Sequence, residues 1–266
     1  MSTSTSKGTA LITGASSGIG AIYAERLARR GYDLVLVARD QQRLQSLSQQ
    51  LAAQTGRKVE ALQADLSVKA GMAKVEERLA ADKTLTLLVN NAGLGATAPL
   101  VDSGIDAMDD MIQLNVVALT RLTRAALPGL LARGQGAIIN IASIVALAPE
   151  LLNGVYGGTK AYVLAFTQSL HHEVGAKGVQ VQAVLPGAIS TPFWSRAGVP
   201  VEHLPQHIVM QADELVDAAL SGFDQRELVT IPSLPDAAQW EAFSTARLAM
   251  GPGLSLQKAA QRYRKG

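Results

Sequence analysis

Cysteine is absent from this chain of 266 residues, which removes disulfides, thiolate metal ligands and a cysteine nucleophile together. Aromatic residues make up only 4%, too few for the stacking platforms that single-stranded nucleic acid needs. With 24 Lys and Arg against 22 Asp and Glu, the net charge of +2 leaves no electrostatic footprint for a phosphate backbone. Apolar runs such as LVLVA and LTLLV are strand-sized, far short of the roughly 20 residues that cross a bilayer. The polar lead MSTSTSKG has no apolar h-region, so neither a signal peptide nor a membrane anchor is expected, and the cytoplasm is the expected compartment. His171 and His172 are adjacent in a helical segment and point in different directions. With no His-Glu-x-x-His pattern and no carboxylate cluster, no metal is expected.

What the chain has is apolar content of 48% and 24 glycines, a composition built to bury surface. Short apolar runs alternate with amphipathic stretches of helix length, the signature of an α/β fold. The pattern predicts strands at 9–13, 34–38, 59–63, 85–90, 137–143, 179–185 and 228–231. Most of them are continuously apolar, as expected when helices cover both faces of a sheet. It predicts helices at 18–30, 41–54, 69–81, 107–133, 155–176 and 212–224, with Asp40 as the N-cap of the second. No linker or repeat divides the chain, so residues 1–266 are expected to form one domain. Two stretches break the rhythm. Residues 192–211, with three prolines, a Phe and a Trp, read as a flap, and residues 232–266 as an appendage suited to packing or subunit contact.

The first strand runs into TGASSGIG, Thr13–Gly20, which opens a helix. Glycines at 14, 18 and 20 allow a tight turn and let backbone N–H groups approach a pyrophosphate at the positive helix end. Tyr156 and Lys160 lie four apart in a helical segment, so their side chains emerge one turn apart on one face. A phenol there can donate the proton that quenches charge on a carbonyl oxygen, and a nearby ammonium is expected to lower its pKa. Ser143 ends an apolar strand at its carboxyl end, where open α/β sheets place their ligands. Its hydroxyl can hydrogen-bond the same oxygen. Asn115 falls on an apolar helical stripe with Met108, Met111, Ile112, Leu119 and Leu122, and a buried amide needs partners. Gly157 and Gly158 cost about 1 kcal/mol each in a helix relative to Ala. Close packing would account for them.

The glycine spacing Gly-x3-Gly-x-Gly, NNAG at Asn90–Gly93, Ser143, Tyr156-x3-Lys160 and the Pro186-Gly187 pair together resemble the classical short-chain dehydrogenase/reductase family. The likeness covers about residues 8–231. It implies a Rossmann-type doubly wound parallel sheet of seven strands, order 3-2-1-4-5-6-7, binding NAD(H) or NADP(H), as a homotetramer or homodimer. It makes Asn115, Ser143, Tyr156 and Lys160 the catalytic set, with Asn115 holding a helix irregularity and a water. Around the cofactor it implies Gly14, Ser16, Ser17, Gly18, Ile19 and Gly20 at the phosphates, Asp65 and Leu66 at the adenine, and Asn91, Ala92 and Gly93 at a ribose. Lys160 and Tyr156 also face the nicotinamide ribose, with Pro186, Gly187, Ile189 and Thr191 near the nicotinamide itself. The family's acidic ribose ligand is replaced by Ala38, and Arg39 follows it. A guanidinium can pair a 2′-phosphate, so NADP(H) is expected over NAD(H).

The implied activity is hydride transfer between the nicotinamide and a carbonyl or secondary alcohol. Ile144, Val145, Leu147, Leu151 and Leu152, with Phe193, Trp194, Val199 and Leu204 of the flap, predict a mainly apolar small-molecule substrate. A ketone and a 3-oxoacyl thioester both remain open. A catalytically silent dinucleotide-binding sensor is the rival reading, which the complete set of four catalytic residues argues against. An epimerase of the extended family branch is disfavoured by the short chain and the glycine spacing.

Overall fold

The structure, a computed structural model, describes residues 6–264. The chain divides into two compact units after Pro232. The first alternates strands and helices: β1 (Thr9–Thr13), α1 (Gly18–Arg29), β2 (Asp33–Ala38), α2 (Gln41–Thr55), β3 (Val59–Gln63), α3 (Lys69–Ala81) and β4 (Leu85–Asn90). It continues through α4 (Ile105–Ile112), α5 (Leu119–Arg133), β5 (Gly136–Ile141), α6 (Gly154–Val174), β6 (Val179–Val184), β7 (Ala188–Ser190), α7 (Phe193–Ala197), β8 (Val209–Gln211), α8 (Ala212–Asp224) and β9 (Val229–Thr230). The second unit is a helix, α9 (Ala237–Ala249), followed by short turns.

Seven parallel strands form one sheet in the order β3-β2-β1-β4-β5-β6-β9, the expected doubly wound topology, with β9 as its seventh strand. Successive side chains on a strand face opposite sides, and both sides are buried, hence the unbroken apolar runs. Leu34 and Leu36 pack with Tyr23 and Leu27 of α1 and with Leu215 and Leu220 of α8. Their neighbours Val35 and Val37 turn to the other face, against Met72 and Val75 of α3 and Leu122 of α5. Asp40 caps α2, accepting from Arg43 N at 3.0 Å, and Gly56 ends that helix at φ 67°.

Two departures from the sequence pattern bear on function. The helix expected at 107–133 starts at Ile105 and carries one π-helical turn, Gln113–Ala118, between α4 and α5. The flap is not irregular throughout. It holds α7, and β7 and β8 pair in parallel to bracket it as a separate two-stranded sheet. Among the described residues, no helix is long and apolar enough to cross a membrane.

Candidate active site

The strand order reverses between β1 and β4, and ligands of open α/β sheets bind at such a crevice beyond the strands' carboxyl ends. A cleft of about 640 Å³ lies there. One end is lined by Gly14, Ser16, Ser17, Gly18 and Ile19 of the glycine turn, Arg39 after β2, and Asp65 and Leu66 after β3. Asn91, Ala92 and Gly93 after β4 line its middle, with Pro186, Gly187, Ile189 and Thr191 opposite. Gly20 does not line the cleft. A Cβ there would fall 2.4 Å from Gly14 O, so Gly20 lets α1 close onto the turn from behind. Gly14 itself has φ +66°, where a side chain is strained. Thr13 Oγ1 fastens the next strand end, accepting from Asn91 N at 2.9 Å and Ala92 N at 3.0 Å.

At the other end Ser143, Tyr156 and Lys160 converge. Ser143 follows β5 and caps a short 3-10 turn, accepting from Val145 N at 3.3 Å. Asn153 caps α6, its Oδ1 accepting from Val155 N and Tyr156 N, while its Nδ2 donates to Ala98 O at 2.7 Å. This cap fixes the turn that presents Tyr156. Lys160, one turn on, donates from Nζ to Ile141 O at 2.9 Å and lies 5.8 Å from the centre of the Tyr156 ring.

Burial governs the titration of both groups. It pushes the Tyr156 phenol up to about 12, and the hydrogen bond from Ser143 pulls only partly the other way. Lys160 is pushed down to about 8 by burial. The expectation that Lys160 lowers the Tyr156 value is therefore corrected, because the ammonium bonds a backbone carbonyl and desolvation dominates.

Asn115 sits within the π turn, buried and outside the cleft lining. It brackets Leu94, with Oδ1 accepting from Leu94 N and Nδ2 donating to Leu94 O, both at 2.8 Å, and Nδ2 also reaches Thr159 Oγ1 at 3.0 Å. Asp65 closes a turn by accepting from Ser67 N and Oγ at 2.9 and 2.7 Å. Burial raises its pKa, but these bonds and the Arg39 charge outweigh that and hold the carboxyl below its usual value.

Of the expected apolar lining, Ile144, Val145, Leu151, Leu152, Phe193, Trp194 and Leu204 face the cleft. Leu147 and Val199 do not, because Leu147 turns outward at the end of the 3-10 turn and Val199 follows the end of α7. Leu94, Leu114, Asp110 and Arg43 join the lining unannounced by the sequence, and Arg196 and Ile208 of the expected flap line it too. Asn153 had a signal as a capping residue three before Tyr156.

The residues present fit a dinucleotide. Backbone approaches closely at the glycine turn, the first turn of α1 holds no acidic residue, and two guanidiniums flank the end of β2. Fold and site thus define a Rossmann-type oxidoreductase acting on CH–OH and C=O groups. The family model of short chain dehydrogenases matches residues 8–199, and the chain belongs to that family. It is 52% identical to a short-chain dehydrogenase from Sphingobium yanoikuyae in complex with NADPH, covering 97% of this chain and 100% of that one, with a TM-score of 0.94. The bulky-bulky ketone specific alcohol dehydrogenase from Comamonas testosteroni is 45% identical, with 97% and 99% covered and a TM-score of 0.90. The very-long-chain 3-oxoacyl-CoA reductase of Bos taurus is 35% identical over 198 residues, 70% of this chain and 63% of that protein.

Proposed function

We propose that the chain is an NADPH-dependent ketone reductase whose carbonyl carries apolar substituents. The observation that carries this reading is the meeting of Ser143, Tyr156 and Lys160 with a largely apolar wall in one cleft. Its apolar end carries one guanidinium, Arg196, and one carboxylate, Asp110, a poor grip for a multiply anionic substrate. The near-complete coverage shared with the Comamonas ketone enzyme supports the same substrate class over a thioester, since the chain spans only 63% of the bovine reductase.

When bound, the nicotinamide supplies the hydride. Tyr156, protonated at neutral pH, gives its phenolic proton to the substrate oxygen as charge develops there. Ser143 donates a hydrogen bond to that oxygen. The phenolate left behind regains its proton from solvent, and Lys160, held by its bond to Ile141 O, would hold the nicotinamide ribose. Asn115 holds the Leu94 segment that walls the site, a positioning role.

NADPH over NADH is supported by Arg39 and Arg43 at the cleft. Of the two carboxylates beside them, Asp40 accepts from Arg43 N and pairs with Arg43 Nε at 3.2 Å, and Asp65 accepts from Ser67 N and Oγ. Following nicotinamide absorbance with aryl ketones, oxo-acyl thioesters and each cofactor tests the reading. Arg39→Asp should weaken NADPH by about tenfold or more, ~1.4 kcal/mol, and leave NADH nearly unchanged. Equal losses for both cofactors would make Arg39 a bystander.

A further inference from the structure

We infer that Phe193, seated in a notch at Gly95, sets the size of the carbonyl substituents that can reach Tyr156, an assignment that rests on the ketone reading above. Phe193 opens α7, and its ring centre lies 5.8 Å from that of Tyr156, tilted by 44°. Behind it stands Trp194, edge-on at 5.7 Å and anchored by Nε1 to Ile189 O at 3.0 Å. On its far side the ring meets backbone. A Cβ at Gly95 would lie 2.2 Å from Phe193 Cζ and 2.7 Å from Cε2, so the ring tip occupies the place any side chain at 95 would take.

Both partners of this contact are held. Asn115 brackets Leu94, next to Gly95, through its N–H and its carbonyl. Thr97 donates from N and Oγ1 to Ala197 O, at 3.1 and 2.8 Å, which clips the same loop to the end of α7. The loop and the short helix thus fix each other, and the ring between them is the movable part. A methyl group at 95 displaces the tip of a side chain rather than the backbone. With Trp194 fixed behind, the ring swings toward the cleft that it lines. The size limit is therefore written at two positions, one of which never touches the substrate.

The test uses the full chain with NADPH and a series of phenyl ketones whose second group is methyl, isopropyl or cyclohexyl. For Phe193→Ala, the ratio of kcat/KM for the cyclohexyl to the methyl ketone should rise by about tenfold, and for Gly95→Ala it should fall by about as much. In the Phe193→Ala background, Gly95→Ala should change either value by less than about twofold, because no ring remains to be displaced. NADPH affinity and the thermal midpoint should stay near wild type in every variant. Phe193→Leu, with a smaller shift in the same direction, serves if the alanine variant does not fold. An unchanged ratio in the Phe193 variants, or a Gly95→Ala effect of equal size in both backgrounds, overturns the assignment while the ketone reading stands. Wild-type enzyme that reduces none of the three ketones overturns both.

Discussion

Tyr156 and Lys160 are buried, ionisable and one helical turn apart, and their titration follows from that position rather than from each other. A phenol near 12 is a proton donor throughout the physiological range, which suits reduction of a carbonyl. Tyr156→Phe removes that proton and little else, so NADPH binding should persist while ketone turnover falls by about 10² to 10⁴. Turnover within about tenfold of wild type would remove Tyr156 from the chemistry. Lys160 makes a separate prediction for stability. Its folded value of about 8 lies below the ordinary 10.5, so between those limits the unfolded chain holds a proton that the folded chain has released. Stability from this group therefore rises with pH across that window. Tyr156 acts oppositely, since its folded value of about 12 exceeds the ordinary 10.0 and costs stability as pH climbs above 10. Urea unfolding of wild type and Lys160→Met at several pH values isolates the lysine. The difference should shift in favour of wild type from pH 8 to 10.5, and parallel curves would show that Lys160 keeps its proton in the folded state.

At the scale of elements, the seven strands and the main helices were legible because apolar runs and helical stripes have periods that survive in sequence. The π turn was legible only through the family resemblance, which put a helix irregularity at Asn115, since one extra residue in a single turn at 113–118 leaves the stripe through Met108, Met111, Leu119 and Leu122 almost unchanged. Strands β7 and β8 were not legible, being three residues each and too short to show alternation. The catalytic candidates stood out through their spacing, while Arg43 gave no such signal and needed the fold to bring it to the cleft. The glycine pair in α6 splits in the same way. A Cβ at Gly157 would meet Pro149 at 3.3 Å, so close packing accounts for that glycine. Gly158 is exposed and faces nothing within 4 Å, and its helix gains nothing from it within the chain. Gly158→Ala should thus stabilise the protein by about 1 kcal/mol in urea or thermal unfolding, and Gly157→Ala by less. A loss of stability at 158 would mean that another surface packs there.

For the whole molecule, the decisive boundary is Pro232. The sheet is complete with β9, and both large apolar clusters draw all their members from residues 10–228. The cleft, from Gly14 to Ile208, is likewise built within the first unit. The second unit has a different character: α9 buries no residue, and Phe243, Leu248, Met250, Leu254, Leu256 and Tyr263 are all exposed. Among the described residues, a chain ending at Pro232 therefore contains every strand, both large apolar clusters and every residue lining the cleft, which is what a Rossmann unit needs to fold and bind. It should unfold in one cooperative transition and bind NADPH within about threefold of the full chain, a difference of ~0.7 kcal/mol. Thermal unfolding with and without NADPH, run on both chains, measures this directly. A truncated chain that aggregates, or that gains no stability from NADPH, would show that residues 233–266 belong to the folding unit.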